Sequence, residues 1–343
     1  MKIQSQESCG KAGLAGSRSP RWLLLLVALL AGFHAGPPSA LAAGGAVSGD
    51  SPGFPGIVAG GTVVEKVLDG FQLAEGPAAS RLGYLLFSDA ANNKIWKYIP
   101  KGSADVFEGG ASASKPGLIA LRDQSNGALG LTFDRQGRLL ACEAGARRVT
   151  RTEKDGRITV LAERFGDKRL NGPDDILHAI DGTTYFTDPP PGQGGGEQPR
   201  AGVYQIMRNG ELRVVSTELE APAGLALSPE QRILYVSDAA QNNIRAFEIK
   251  GDGVLVNGRI FATMKSTGDG AAGGLKTDLK GNVYGAGPGG IWIFDKDGRH
   301  LGTIAMPEAA TNLGWGDNYN ALYITTRTSL YRIALKATGS RTY

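Results

Sequence analysis

Ser88-Asp89-Ala90-Ala91-Asn92-Asn93-Lys94-Ile95 returns 149 residues later, almost unchanged, as Ser237-Asp238-Ala239-Ala240-Gln241-Asn242-Asn243-Ile244. Self-similarity at long range is the signature of a repeat architecture. Around each copy lies a looser unit: a short apolar strand, a turn holding Gly or Asp, and a second strand. The first strands begin near Gly76, Gly130, Asp175, Gly224, Gly274 and Leu313, spaced 54, 45, 49, 50 and 39 residues apart. From Val63 onward the apolar runs are short and bounded by Gly, Asp and Asn, with no long helical period. Six units of about 50 residues match four-stranded blades, so the chain is expected to be all-β, a six-bladed β-propeller whose radial repetition leaves few exposed edges. The last unit is one strand short, and Thr62 to Leu68 has no partner of its own. This N-terminal strand is therefore expected to close the last blade, giving one propeller domain over 62–336 and a short tail over 337–343.

The composition fits such a fold. Of 343 residues, 51 are Gly, about twice ordinary usage and without a Gly-X-Y period, which excludes collagen and favours tight turns. The net charge of +4 invites a nucleic-acid reading, but much of it lies at the start of the chain. Arg18 and Arg21 precede an apolar run from Trp22 to Phe33 and a small-residue stretch, Ala40-Leu41-Ala42-Ala43. This is the pattern of a secretory signal peptide over 1–42, too short for the roughly 20 residues of a membrane span. Gly, Ala, Ser and Pro then form a flexible spacer over 43–61. Without the leader, 33 Lys and Arg face 32 Asp and Glu. No basic stripe remains to track a phosphate backbone. The expectations are a secreted or periplasmic protein, a small-molecule ligand, no nucleic acid and no membrane span after leader cleavage. Cys9 leaves with the leader. Cys142 stays alone, with no internal disulfide open to it.

In a propeller the first strand of each blade lines the axial channel, so the residues just before these strands converge at one mouth. They are Glu75, Leu129, Asp174, Ala223, Gly273 and Asn312. Oxygen-bearing side chains gathered from separate blades suit a hard divalent cation, although Asp and Asn also occupy turns for backbone reasons.

At these residues the sequence resembles the gluconolactonase, senescence marker protein and luciferin-regenerating enzyme family. The resemblance spans roughly Glu65 to Leu335. It rests on Glu75-Gly76-Pro77, Gly130-Leu131-Thr132-Phe133-Asp134, Ala141-Cys142-Glu143, Arg169-Leu170-Asn171-Gly172-Pro173-Asp174-Asp175, Tyr185-Phe186-Thr187-Asp188-Pro189-Pro190, Pro222-Ala223-Gly224-Leu225 and Gly287-Pro288-Gly289-Gly290. It implies a six-bladed propeller that hydrolyses a sugar lactone or related small ester around one channel cation, calcium first, with magnesium, manganese and zinc as alternatives. It also implies metal ligands at Glu75 and at Asp174, where the family carries Asn. The two remaining ligand positions fall on Ala223 and Gly273, which have no donor. The site is thus expected to be depleted, with Asn312 as a supporting ligand and occupancy itself in question. The usual base falls on Gly273, so Asp174 or the strand-end Asp188 would take the catalytic role. Asn171, Glu143 and Arg148 are the expected substrate contacts. The alternative reading is a non-catalytic propeller that binds a sugar or other small ligand.

Other features read as structural or stay open. His178 and His300 sit beside hairpin turns away from the channel. Cys142 is expected to be a small buried hydrophobe, and Trp96, Trp292 and Trp315 to be core. Arg147, Arg148 and Arg151 read as a solvated strand face or as contacts to an acidic or hydroxylated substrate. Pro189 to Arg200 is a lid or a plain surface loop.

Overall fold

The structure, a computed structural model, describes residues 54, 56–101, 117–191, 195–251 and 253–341. The expected leader lies outside the described residues, as does most of the expected spacer. Among the described residues there is no helix, and hence none long and apolar enough to cross a membrane. Six four-stranded antiparallel sheets form six blades, and a small hairpin pairs Arg164–Phe165 with Lys168–Arg169. The inner strands are Ala74–Ala79, Ala128–Phe133, Ile176–His178, Pro222–Leu227, Leu275–Thr277 and Ala310–Gly316. Each inner strand contacts those of the blades before and after it, and the first contacts the last, closing the ring.

The closure is made by the N-terminal strand. Glu65–Asp69 pairs antiparallel with Ser329–Ala334, with Glu65 opposite Arg332 and Asp69 opposite Ser329, and forms the outer edge of blade 6. Glu308 clasps the seam: its carboxylate accepts hydrogen bonds from the hydroxyls of Thr326, Thr328, Ser329 and Tyr331, and Lys66 of the closing strand lies 3.4 Å away.

Apolar side chains fill the spaces between blades. Leu177, Tyr185 and Val203 of blade 3 pack on Leu225, Leu234, Val236 and Phe247 of blade 4. Cys142 is fully buried between Leu140 and Val149 of its own blade and Ile176 and Phe186 of the next. Trp292 and Trp315 are core, while Trp96 is half-buried against it.

The repeated sequence now has a physical explanation. Ser88 and Ser237 each end the second strand of a blade and reach across to the next blade, their hydroxyls donating to the carbonyls of Leu129 and Gly273 at 2.7 Å. Thr187 does the same to Ala223, at 2.7 Å. The aspartate that follows stays within its own blade. Asp89 accepts from the backbone N–H groups of Gln72 and Leu73, and Asp238 from those of Glu220 and Ala221, fixing the loop that enters the inner strand. Asn93 and Asn242 turn the chain with φ of 56° and 46°, a left-handed conformation that Asn tolerates. Their side-chain oxygens accept from Gly127 N and Ala272 N of the following blade. Hydroxyl, carboxylate and amide therefore recur together because each ties down a different backbone segment that would otherwise be buried unpaired.

Glycine serves the same close packing at the axis. A Cβ placed at Gly224 would lie 2.2 Å from the Gly273 carbonyl oxygen of the next blade. Gly224→Ala is expected to cost about 1–3 kcal/mol, as overpacking does. Gly60→Ala, with nothing within 4 Å of the added carbon, should be neutral to about 0.5 kcal/mol. Chemical denaturation of both variants checks this, and equal midpoints would contradict it.

Candidate active site

The axis is built in layers. In the outermost, the residues entering the inner strands are Glu75, Leu129, Asp174, Ala223, Gly273 and Thr311. The sequence reading put Asn312 in the sixth place. The register corrects this by one residue: Gly274 N donates to the Thr311 carbonyl just as Gly130 N donates to the Asp174 carbonyl. A bulge between Ala310 and Asn312 accounts for the shift. It also moves Asn312 into the layer below, where it is 4% exposed.

That second layer consists of Gly76, Gly130, Asp175, Gly224, Gly274 and Asn312. Four glycines leave space for two polar side chains from opposite blades, 3 and 6. Cβ atoms at Gly130 and Gly274 would stand 2.7 Å from Asp175 Oδ1 and 1.8 Å from Asn312 Oδ1. The Asn312 side chain, whose Oδ1 accepts from Leu313 N at 2.8 Å, is near enough to both Asp175 and Glu75 to favour their charged forms. Asp175 Oδ2 also accepts from Leu225 N at 3.1 Å. Deeper still, Lys276 lines a cavity of about 70 Å³ with Ala78, Thr132, Leu177, Ala226 and Trp315.

Glu75, Asp174 and Asp175 thus converge from two blades. Burial pushes the Glu75 carboxyl up from 4.5 to about 7; Asn312 opposes the rise, and the negative charge of Asp175 adds to it. Burial also drives Asp174 well above the usual carboxylate range, and the charges of Glu75 and Asp175 add to this. Asp175 is raised by burial too, moderated by the Lys276 ammonium. Like charges gathered in a partly dry mouth favour holding a proton or a cation.

The other expected site residues are engaged elsewhere. Asp188 is fully buried, and its oxygens accept from Asn171 N at 2.8 Å and Gly172 N at 2.7 Å. It is the blade 3 counterpart of Asp89 and Asp238, with both oxygens spent on the loop backbone, so it is not free to act as a base. Burial raises its carboxyl to about 6. Glu143 accepts four hydrogen bonds, from Arg122, Asn126, Arg148 and Thr150, which leaves it no face for a substrate. Arg148 is correspondingly held by Glu143 at 2.8 Å. The Asn171 side chain donates to Pro189 O and accepts from Gln198 N. Through Gln198, which also donates to Phe165 O and Lys168 O, the described part of the Pro-Gly-rich segment is pinned to the small hairpin. Away from the mouth, His178 bonds Thr184 and His300 bonds Thr303.

Two site residues escaped the sequence reading. Asp175 follows Asp174 at a place where four blades carry glycine, and that mismatch was a usable signal. Lys276 was a visible one too: the charged member of an inner strand, Leu275-Lys276-Thr277, that is otherwise apolar or hydroxylic.

The donors Glu75, Asp174 and Asn312 are oxygen-based and suit a hard divalent cation. With Lys276 counted, the three carboxylates carry a residual charge such an ion would neutralise. Among the described residues, no group of three or more His, Cys, Asp and Glu side chains is placed to hold a metal alone, so amide and backbone oxygens or water would complete any coordination.

A closed ring of six blades with acidic side chains gathered at one end of its axis defines a six-bladed β-propeller. The chain belongs to the SMP-30/gluconolactonase/LRE-like family, whose model matches residues 73–328. A gluconolactonase of Zymomonas mobilis is 28% identical over 312 residues, covering 86% of this chain and 87% of its own. The structure of a gluconolactonase from Xanthomonas campestris superposes with a TM-score of 0.72 at 29% identity, covering 88% of this chain and 99% of its own. A calcium-binding regucalcin from Agrobacterium tumefaciens shares the fold at 16% identity, with a TM-score of 0.63 and coverage of 80% and 94%.

Because the folded Glu75 carboxyl is raised above its unfolded value of 4.5, the folded state binds more protons between 4.5 and about 7. In chelator-treated protein the Glu75 contribution to stability should therefore be fully present below pH 4.5 and be lost as pH rises through about 7. Glu75→Gln should flatten that decline in melting curves taken from pH 5 to 8, and an unchanged slope would refute the assignment. At Gly273 a Cβ would meet Thr311 O at 2.3 Å. Gly273→Asp should accordingly lower the melting temperature rather than raise any activity of the site.

Proposed function

We propose that the channel mouth hydrolyses a sugar lactone or a similar small cyclic ester. The observation that carries this reading is the convergence of Glu75 and Asp174, with carboxyls poised for proton transfer, in the mouth of a family propeller whose relatives include gluconolactonases. Ala223 and Gly273, neighbours in the outer layer, leave one side of the mouth open for a compact ring, and the filled axis beneath keeps the site shallow.

A divalent cation, calcium by preference, would be held by Glu75, Asp174 and Asn312. When bound, it supplies polarisation of the lactone carbonyl and stabilises the charge that develops on its oxygen. The chain's own work is proton handling. A carboxylate oxygen of Asp174 takes a proton from the attacking water as the new C–O bond forms. The bond to the ring oxygen then breaks, that oxygen receives the proton, and a hydroxy acid leaves. A carboxyl whose proton affinity is raised by burial and by neighbouring carboxylates suits such a two-way transfer. Asn312, buried in the second layer, favours the charged forms of Glu75 and Asp175.

We also place the protein outside the cytoplasm, secreted or periplasmic, on the strength of the basic, apolar and Ala-rich pattern of residues 1–42.

Assay against a panel of aldonolactones, with and without added calcium, tests the reading. Turnover is expected, with Asp174→Asn and Glu75→Gln each losing about a hundredfold or more while the protein stays folded. Asp188→Asn should mainly lower the melting temperature. A folded wild type inert on every lactone, yet stabilised by a sugar or its acid, would instead identify a binding propeller.

A further inference from the structure

Lys276 occupies an unusual place. It sits in the inner strand of blade 5, three residues beyond the outer-layer Gly273, between the carboxylate-lined mouth and the small cavity below. Its Nζ donates to the Leu275 carbonyl at 2.9 Å. Among the described residues it forms no direct ion pair, so its charge is not spent on one carboxylate. Asp175 and Glu75 both interact with it electrostatically. Such an ammonium acts on Asp175 and Glu75 together, without contributing a lone pair to any bound ion.

We propose that Lys276 sets the charge selectivity of the channel mouth, reducing Glu75, Asp174 and Asp175 to a residual charge that matches a divalent cation and disfavours a trivalent one. The inference rests on the cation reading above and extends it, because the selecting residue is not a ligand. The open positions at Ala223 and Gly273 make this control matter more. With fewer donors to impose geometry, total charge becomes the main discriminator between hard ions.

Calorimetric titration of chelator-stripped protein with calcium chloride and with lanthanum chloride provides the test, with folding monitored by circular dichroism. Lys276→Met keeps the length of the side chain and removes its charge. It should tighten calcium binding by about tenfold, and lanthanum binding by more, since the Coulomb energy scales with ionic charge. Lys276→Arg should behave as wild type. The Asp175→Asn/Lys276→Met double variant, which restores the wild-type charge, should return calcium affinity to within about threefold of wild type. If Lys276→Met fails to fold, Asp175→Asn against the double variant makes the same comparison, and the double variant should bind calcium more tightly. Binding by Lys276→Met but not by wild type would also support the proposal. Equal calcium and lanthanum affinities in wild type, Lys276→Met and the double variant would overturn it while leaving the cation reading intact. Folded proteins that all ignore both ions would overturn the two together.

Discussion

Six inner strands meet at the axis so closely that backbone packs on backbone. A Cβ at Gly76, Gly130, Gly224 or Gly274 would lie within 2.2–2.8 Å of carbonyl or Cα atoms in the next blade. The same contacts are bridged by hydroxyls, from Ser88, Thr187 and Ser237, that satisfy the carbonyls turned toward the neighbouring blade. Closure of the ring depends on this spacing. An expanded axis would strand those carbonyls in a region water reaches poorly, which costs more than an average hydrogen bond contributes.

The candidate site is a by-product of that geometry. Where four blades carry glycine in the second layer, blades 3 and 6 carry Asp175 and Asn312, and the glycines provide their room. These two side chains are buried at the axis, each 4% exposed. The charge of Asp175 and the amide of Asn312 then act on Glu75 from below. Burial, rather than any unusual residue type, pushes the Glu75 carboxyl up to about 7.

Residues of one chemical type do different work here according to the atoms they face. Asp174 has a carboxyl directed toward other carboxylates. Asp188 ends a strand fourteen residues later, and its carboxyl is consumed by two backbone N–H groups. Both stand out in the sequence as acidic residues beside Pro, and nothing local separates them. What separates them is the repeat: Asp188 aligns with Asp89 and Asp238, which perform the same scaffolding task. Glu143, at the equivalent strand end of blade 2, becomes instead the centre of an arginine-rich network with Arg122 and Arg148.

The sequence by itself determined the architecture, because period, turn residues and the orphan strand near the N-terminus are local or additive signals that survive without coordinates. It also placed Glu75 and Asp174 at the channel, since entry into an inner strand can be counted along the chain. The tertiary structure alone decided that Thr311 rather than Asn312 fills the sixth outer position, because a bulge changes register without leaving a mark in composition. It alone brought Asp175, Asn312 and Lys276 into one electrostatic unit. Those residues belong to three blades, and their interaction depends on distances across the axis, which no spacing along the chain encodes.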